Sequence, residues 1–156
     1  MEKNIFFMNK AIELAASAAQ NNEVPVGAII VKDGEIIASA SNKREKHYDA
    51  TAHAEVEAIR QACEKLQRWR LSDCELYVTL EPCPMCAGAI LNAKISRVIY
   101  GAKDPRGGAL GSLLDLRSYP FYHKPEVVGG ICESECKELL SSFFKEKRKK
   151  IEKDTD

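Results

Sequence analysis

Segments of strand-forming residues alternate along this chain with segments that repeat apolar residues at helical spacing, and this alternation restricts the fold most. The apolar spacing predicts a helix over about 6–21. Strands predicted at 26–31 and 36–40 flank Asp33-Gly34, a pair that suits a tight hairpin turn. After a polar loop predicted at 42–50, Thr51 is a candidate cap for a helix that ends near Leu66.

The second half of the chain continues the alternation. Its predicted elements are strands at 74–80, 97–100 and 126–128, a short helix from Pro82-Cys83-Pro84 to Leu91, a helical turn at 113–116 and a final helix from about Glu133. Residues 103–112 hold three glycines and one proline, so they predict a long loop with a functional role.

This order of elements predicts the fold class and the domain organisation. The 156 residues show no internal repeat or linker, so we predict one domain over 1–156. The alternation predicts an α/β sandwich with a single mixed sheet. Its hairpin end should be antiparallel, and helical crossovers should join its later strands.

Composition narrows the possible functions. Lys and Arg number 23 and Asp and Glu also number 23, so a uniformly positive surface is excluded and a nucleic acid would have to bind a local patch. No apolar run approaches the roughly 18 residues of a membrane helix, and the first residues lack the pattern of a secretory signal. We therefore expect a cytoplasmic protein without a membrane partner, whose six cysteines stay reduced.

Three residues are candidate ligands for one metal ion. Cys83 and Cys86 are three positions apart at the start of a predicted helix, which places both sulfur atoms on one helix face, and His53 lies in the first turn of the preceding helix. Catalytic zinc sites use three protein ligands and leave one position to water, whereas structural sites use four. The count predicts an open zinc site where two helix N-termini converge and favour thiolate. A redox dithiol is the alternative for the cysteine pair.

Glu55 follows His53 by two residues and is not needed as a ligand. A carboxylate beside a zinc-activated water accepts its proton and later donates a proton to the leaving group. Attack of water on an electron-poor carbon, with proton delivery to a leaving nitrogen, is the chemistry of hydrolytic deamination.

The segments His53-Ala54-Glu55 and Glu81-Pro82-Cys83-Pro84-Met85-Cys86 resemble the signature of the zinc-dependent cytidine and adenosine deaminases. More specifically, the chain looks like the bacterial tRNA-specific adenosine deaminases from about residue 5 to 150. The segments that carry this resemblance are 23–28, 49–55, 76–83, 86–90 and 100–104. The resemblance implies a three-layer α/β/α cytidine-deaminase-like fold with one central mixed five-stranded sheet. It also implies a homodimer with one zinc ion per subunit.

The same resemblance implies a reaction and a set of site residues. The family converts the wobble adenosine, position 34 of a tRNA anticodon, to inosine and releases ammonia. By resemblance His53, Cys83 and Cys86 bind zinc and Glu55 is the catalytic proton carrier. The residues expected to contact the tRNA substrate are Asn42, Ala54, Asp104, His123, Phe144, Lys147 and Arg148.

Two positions depart from the family pattern. Ala50 replaces a common proline, which loosens the loop before the catalytic helix. Tyr122 stands where the family has an asparagine before His123, so only the role of the histidine carries over. A tyrosine there still offers a ring for stacking on a base and a hydroxyl for hydrogen bonding.

The C-terminal helix end, about 143–153, is basic. Residues 145–150 include five basic side chains and one acidic side chain, next to Phe143 and Phe144. Aromatic rings beside basic groups suit an anticodon loop, because rings stack on unpaired bases while Lys and Arg meet phosphates. A solvated helix end is the alternative, since basic residues also favour a helix C-terminus.

Two other functions share parts of this pattern. A deaminase of free nucleobases or nucleosides, of guanine or cytosine type, carries the same signature but has no need of the basic helix end. A non-catalytic, zinc-stabilised RNA-binding module would require a closed metal shell.

Overall fold

One five-stranded sheet organises the computed structural model, which describes residues 2–154. The strands, in chain order, are β1 (Gly27–Lys32), β2 (Glu35–Ser41), β3 (Cys74–Leu80), β4 (Arg97–Ala102) and β5 (Glu126–Val128). Their order in the sheet is β2-β1-β3-β4-β5. β1 pairs antiparallel with β2 and β3, whereas β3 with β4 and β4 with β5 are parallel. The predicted mixed sheet with an antiparallel hairpin end is confirmed.

Helices cover both faces of this sheet. Helices α1 (Glu2–Gln20) and α5 (Glu133–Asp154) pack on one face, and α3 (Ala54–Leu66) and α4 (Pro84–Ala93) lie on the other. A single helical turn, α2 (Arg44–His47), follows β2. The three-layer α/β/α arrangement is confirmed for residues 2–154, and the predicted domain limits 1 and 156 lie outside the described residues.

Each face of the sheet has its own apolar core, as expected for central strands that helices cover on both sides. The α1 and α5 side includes Phe7, Met8, Ile29, Tyr77 and Cys136. On the α3 and α4 side, small residues let α3 lie close to the strands. The fully buried alanines of α3 are Ala54, Ala58 and Ala62.

The hairpin between β1 and β2 follows from its turn residues. Asp33 and Gly34 both have positive φ angles, 51° and 78°. Two consecutive residues in the left-handed region form the turn whose twist matches that of paired strands, and Asp-Gly tolerates it well. The predicted hairpin is confirmed.

Several predicted boundaries are wrong. Helix α3 begins at Ala54, not at a Thr51 cap, because Asp49 accepts hydrogen bonds from both the amide and the hydroxyl of Thr51, at 2.8 and 2.7 Å. This local turn directs the Thr51 side chain to Asp49, and His53 takes the N-cap position. Helix α1 begins at Glu2, earlier than its apolar stripe indicated.

The connections also differ from the prediction. The loop predicted at 42–50 contains α2, and the helical turn predicted at 113–116 is a 3-10 turn at Leu116–Ser118. Helix α4 joins β3 to β4 as expected, but β4 reaches β5 through a long loop that contains only this 3-10 turn among its helical segments. Among residues 2–154, no helix has both the length and the hydropathy of a segment that crosses a bilayer.

Candidate active site

The predicted metal ligands lie at the N-termini of α3 and α4. His53 is the N-cap of α3 and Cys83 is the N-cap of α4, and both have extended backbone angles before the helix begins (φ −72°, ψ 151° and φ −73°, ψ 173°). Pro84 occupies the first turn of α4, where its fixed φ suits the helix and its missing N–H costs nothing. The two N-termini therefore converge as predicted, although α3 begins later than expected.

The three donor atoms have the spacing of a zinc site. Nδ1 of His53 is 3.6 Å from Sγ of Cys83 and 3.5 Å from Sγ of Cys86, and all three donors lie within 4.8 Å of one another. Zinc–sulfur bonds of about 2.3 Å and zinc–nitrogen bonds of about 2.0 Å, at a tetrahedral angle, separate nitrogen from sulfur by roughly 3.5 Å. The donor set therefore fits a zinc ion and would supply three of its four positions.

The two thiols differ in acidity. The hydrogen bond from Cys86 lowers the pKa of the Cys83 thiol to about 4, and the same interaction raises the pKa of Cys86. The hydrogen bond with Cys83 also raises the pKa of His53. A thiolate at Cys83 is thus favoured at neutral pH by its neighbours, and helix N-termini act in the same direction.

Glu55 lies in the first turn of α3, with 3% of its surface exposed. Burial raises the pKa of its carboxyl group to about 7. A group with this pKa both takes up and releases a proton near neutral pH, which suits a general acid and base.

His53, Glu55 and Cys83 line one cavity of about 140 Å³. Three of the predicted substrate-binding residues also line it, together with five residues that the sequence reasoning missed. The lining residues are Val24, Val26, Asn42, Arg44, His53, Ala54, Glu55, Leu80, Glu81, Cys83 and Asp104.

Nearby backbone amides fix the side chains of the two polar residues among the three predicted substrate residues in this cavity. Oδ1 of Asn42 accepts from the Arg44 amide at 3.2 Å, and Oδ1 of Asp104 accepts from the Arg106 and Gly107 amides, each at 3.1 Å. Ala54 is fully buried as the first residue of α3, where backbone amides lack partners within the helix. Both polar side chains therefore organise their loops as well as facing the cavity.

The other four predicted substrate residues lie elsewhere. Nε2 of His123 is 2.6 Å from the Ile95 carbonyl oxygen. On α5, Nζ of Lys147 lies 5.3 Å from the centroid of the Phe143 ring, and Phe144 is 43% exposed. In the described part of the chain, none of His123, Phe144, Lys147 and Arg148 lines the cavity.

Two of the missed residues had a signal in the sequence. Glu81 is the first residue of the segment 81–86, which contains both candidate cysteine ligands, and Arg44 follows the candidate Asn42 by two positions. The remaining three are apolar walls, and their positions depend on which strand ends meet at the cavity.

This fold and this site together define the class of zinc-type hydrolytic deaminases. The profile of the MafB19-like deaminase family matches residues 1–148. The tRNA-specific adenosine deaminase of Bacillus subtilis (strain 168) is 48% identical over 151 residues, which cover 96% of this chain and 94% of the relative. The chain belongs to the tRNA-specific adenosine deaminase family.

Solved structures of deaminases resemble the chain in both fold and sequence. One comes from a study of A-to-I editing by tRNA:A34 deaminases at the wobble position of transfer RNA. It has a TM-score of 0.82 and 48% identity, over 86% of this chain and 99% of that chain. A guanine deaminase from Bacillus subtilis has a TM-score of 0.62 and 38% identity, over 76% of this chain and 83% of that chain.

Replacing Cys83 with Ser is expected to remove a soft ligand and to weaken zinc binding by more than the roughly 10–100-fold that loss of an outer-shell partner causes. Metal analysis after dialysis against a chelator should find about one zinc per chain in the unaltered protein and far less in Cys83→Ser. Cys63→Ser, which alters a half-buried thiol outside the donor set, should keep its zinc. Full zinc occupancy in Cys83→Ser would contradict the ligand assignment.

Proposed function

We propose that this chain hydrolyses the wobble adenosine, position 34, of a tRNA anticodon to inosine and ammonia, with one zinc ion per subunit. The observation that carries the proposal is the buried Glu55 beside the His53, Cys83 and Cys86 donors, in a chain of the tRNA-specific adenosine deaminase family. The proposed location is the cytoplasm, together with the tRNA substrate.

Each site residue has a role in this reaction. His53, Cys83 and Cys86 would hold zinc, which when bound supplies Lewis-acid activation of a water molecule. Glu55 accepts a proton from the attacking water as the bond from oxygen to C6 of adenine forms, and donates it to N1. Glu55 then moves the remaining hydroxyl proton to the exocyclic nitrogen, the bond from C6 to nitrogen breaks, and ammonia leaves. One water is consumed for each inosine formed.

The cavity walls would orient the nucleoside. The Asn42 side-chain amide and the Ala54 backbone amide supply hydrogen-bond donors, and the Asp104 carboxylate is an acceptor for ribose hydroxyls. The surface groups His123, Phe144, Lys147 and Arg148 would contact the anticodon loop around the extruded base. An anticodon base is already unpaired, so extruding it costs much less than the few kcal/mol of a duplex base.

Glu55→Gln preserves the size of the side chain but removes its ability to take up and release a proton, so we expect kcat to fall by roughly 10²–10⁴-fold. Zinc content and binding of an anticodon stem-loop RNA should be unchanged. Nucleoside analysis of digested RNA would quantify inosine under single-turnover conditions. Glu57→Gln alters a neighbouring residue of the same helix turn and should retain activity. Unreduced inosine formation by Glu55→Gln would remove the proton-carrier role.

A deaminase of free nucleobases is the second candidate, because a guanine deaminase shares this fold at 38% identity. The basic end of α5 favours RNA. Arg148 is exposed, and Phe144 presents an exposed ring edge-on to Phe143, with centroids 5.5 Å apart. Such a surface serves a polyanion with unstacked bases and gives no advantage with a free base.

We expect turnover of an anticodon stem-loop and none of free adenine, guanine or cytosine. Lys147→Ala and Arg148→Ala should each raise KM for the stem-loop. For every lost phosphate contact, the slope of log affinity against log salt should fall by about 0.7. Lys137→Ala is the matched control, since Lys137 lies on the same helix but pairs with Glu133 at 3.3 Å. Turnover of guanine without turnover of RNA would establish the second candidate, and ammonia release from either substrate would exclude a non-catalytic RNA-binding module.

The outer face of α3 and α4 supports the proposed homodimer. Val56, Ile59 and Ala89 line a shallow apolar groove of about 320 Å³ beside Trp69, which is 62% exposed. A second copy of the chain seated on this groove would bury apolar surface that otherwise contacts water.

Val56→Asp should place a charge in this groove and convert the dimer to monomer, because an unpaired charge is costly in an apolar interface. Sedimentation velocity would report the change. Tyr48→Asp, at a side chain that is 96% exposed on another face, should leave the dimer intact. A Val56→Asp protein that remains dimeric would place the interface elsewhere.

A further inference from the structure

Glu81 is a buried carboxylate that the proposed reaction does not use. Only 2% of its surface is exposed, and it lies between the end of β3 at Leu80 and the candidate ligand Cys83. It also lines the cavity that holds Glu55. A carboxylate enclosed in this way needs hydrogen-bond donors, and their identity indicates its role.

Within residues 2–154, four hydrogen-bond donors meet this carboxylate, and all of them belong to the glycine-rich loop of residues 103–112. Oε1 accepts from the Asp104 amide at 3.1 Å and from the Ser112 hydroxyl. Oε2 accepts from the amides of Leu110 and Ser112, each at 3.1 Å. The carboxylate therefore binds both the beginning and the end of the loop.

The middle of the loop packs directly on the same group. A Cβ atom at Gly108 would lie 2.4 Å from the carboxyl carbon of Glu81, so only glycine leaves room for this approach. The Ala109 amide donates to the Pro82 carbonyl at 2.9 Å. Three amides from separate positions of the loop and one hydroxyl thus converge on a single carboxylate, and hydrogen bonds to a carboxylate are stronger than those between neutral groups.

We infer that Glu81 is a positioning residue that holds the 103–112 loop around its carboxylate and so places Asp104 at the cavity. This inference rests on the proposed function for its effect on the substrate. Because Glu81 is two residues from Cys83, the end of β3 sets the position of both the loop and the metal donors. Glu55 belongs to α3, which is a different element from the loop that Glu81 holds. Loss of the Glu81 carboxylate should therefore weaken substrate binding more than proton transfer by Glu55.

Glu81→Gln tests the role because the amide group fits the same space but replaces one accepting oxygen with an NH₂ donor. That donor then faces loop amides, which are also donors, and their hydrogen bonds are lost. In one orientation its NH₂ group faces the Leu110 and Ser112 amides. In the other it faces the Asp104 amide, while the Ser112 hydroxyl turns to accept. The second orientation loses the contact at Asp104 alone, so this end of the loop should loosen first.

We expect Glu81→Gln to raise KM for the anticodon stem-loop by roughly 10-fold or more, with a much smaller change in kcat. The effect should not add to that of Asp104→Ala, since both changes remove the same substrate contact. Glu75→Gln, at the other end of β3 and paired with Lys3 and Arg97, should leave KM unchanged. Multiplicative effects of Glu81→Gln and Asp104→Ala would overturn the positioning role.

Hydrogen exchange and zinc content test the same role without any turnover. In Glu81→Gln the amide of Asp104 should exchange faster, with smaller increases at Leu110 and Ser112, while the zinc content stays near one per chain. Unchanged exchange overturns the inference whether or not tRNA is the substrate. Should Glu81→Gln fail to fold, Ser112→Ala is the alternative, because it removes only the hydroxyl donor to Glu81. It should accelerate exchange in the same loop by a smaller amount, and unchanged exchange in Ser112→Ala would also overturn the inference.

Discussion

The close approach of one imidazole and two sulfur atoms is the constraint on which the site depends. The imidazole nitrogen lies 3.5 and 3.6 Å from the two sulfur atoms, and all three atoms lie within 4.8 Å of one another, so two thiolates here repel each other unless a proton or a cation lies between them. A proton shared between Cys86 and Cys83 is one way to meet this need, and a zinc ion bound by all three donors is the other. Both solutions require α3 and α4 to begin at one place on the same face of the sheet.

Two buried glutamates near this point show how environment separates function. Glu55 faces sulfur atoms and a cavity, where burial favours its protonated form and suits proton transfer. Glu81 is surrounded by three backbone amides and a hydroxyl, which hold its side chain in one position and give it a structural task. Glu55 is thus suited to exchange a proton, whereas Glu81 holds a loop in place.

Much of the fold was predictable because its signals are local. Strands at 74–80 and 126–128, the hairpin turn and the end of α3 at Leu66 match the structure, since alternation and turn residues act over a few positions. The errors have distant or competing causes. Helix α2 forms in a predicted loop where Glu23, more than twenty residues away, accepts from the amides of Glu45 and Lys46. The 3-10 turn is shifted because Asp115 accepts from the Arg117 amide.

The sequence by itself determined the chemistry of the site: which residues could bind a soft metal ion, which carboxylate stood beside them, and which loop and basic helix end were candidates for substrate contact. Only the tertiary structure decided that Asn42, Ala54 and Asp104 share the cavity with Glu55 while His123 bonds to the Ile95 carbonyl. It also decided that Glu81 holds the glycine-rich loop. The reason is physical, because residue type sets what an atom can bind, whereas contacts between residues 22 to 33 positions apart depend on how strands and helices pack.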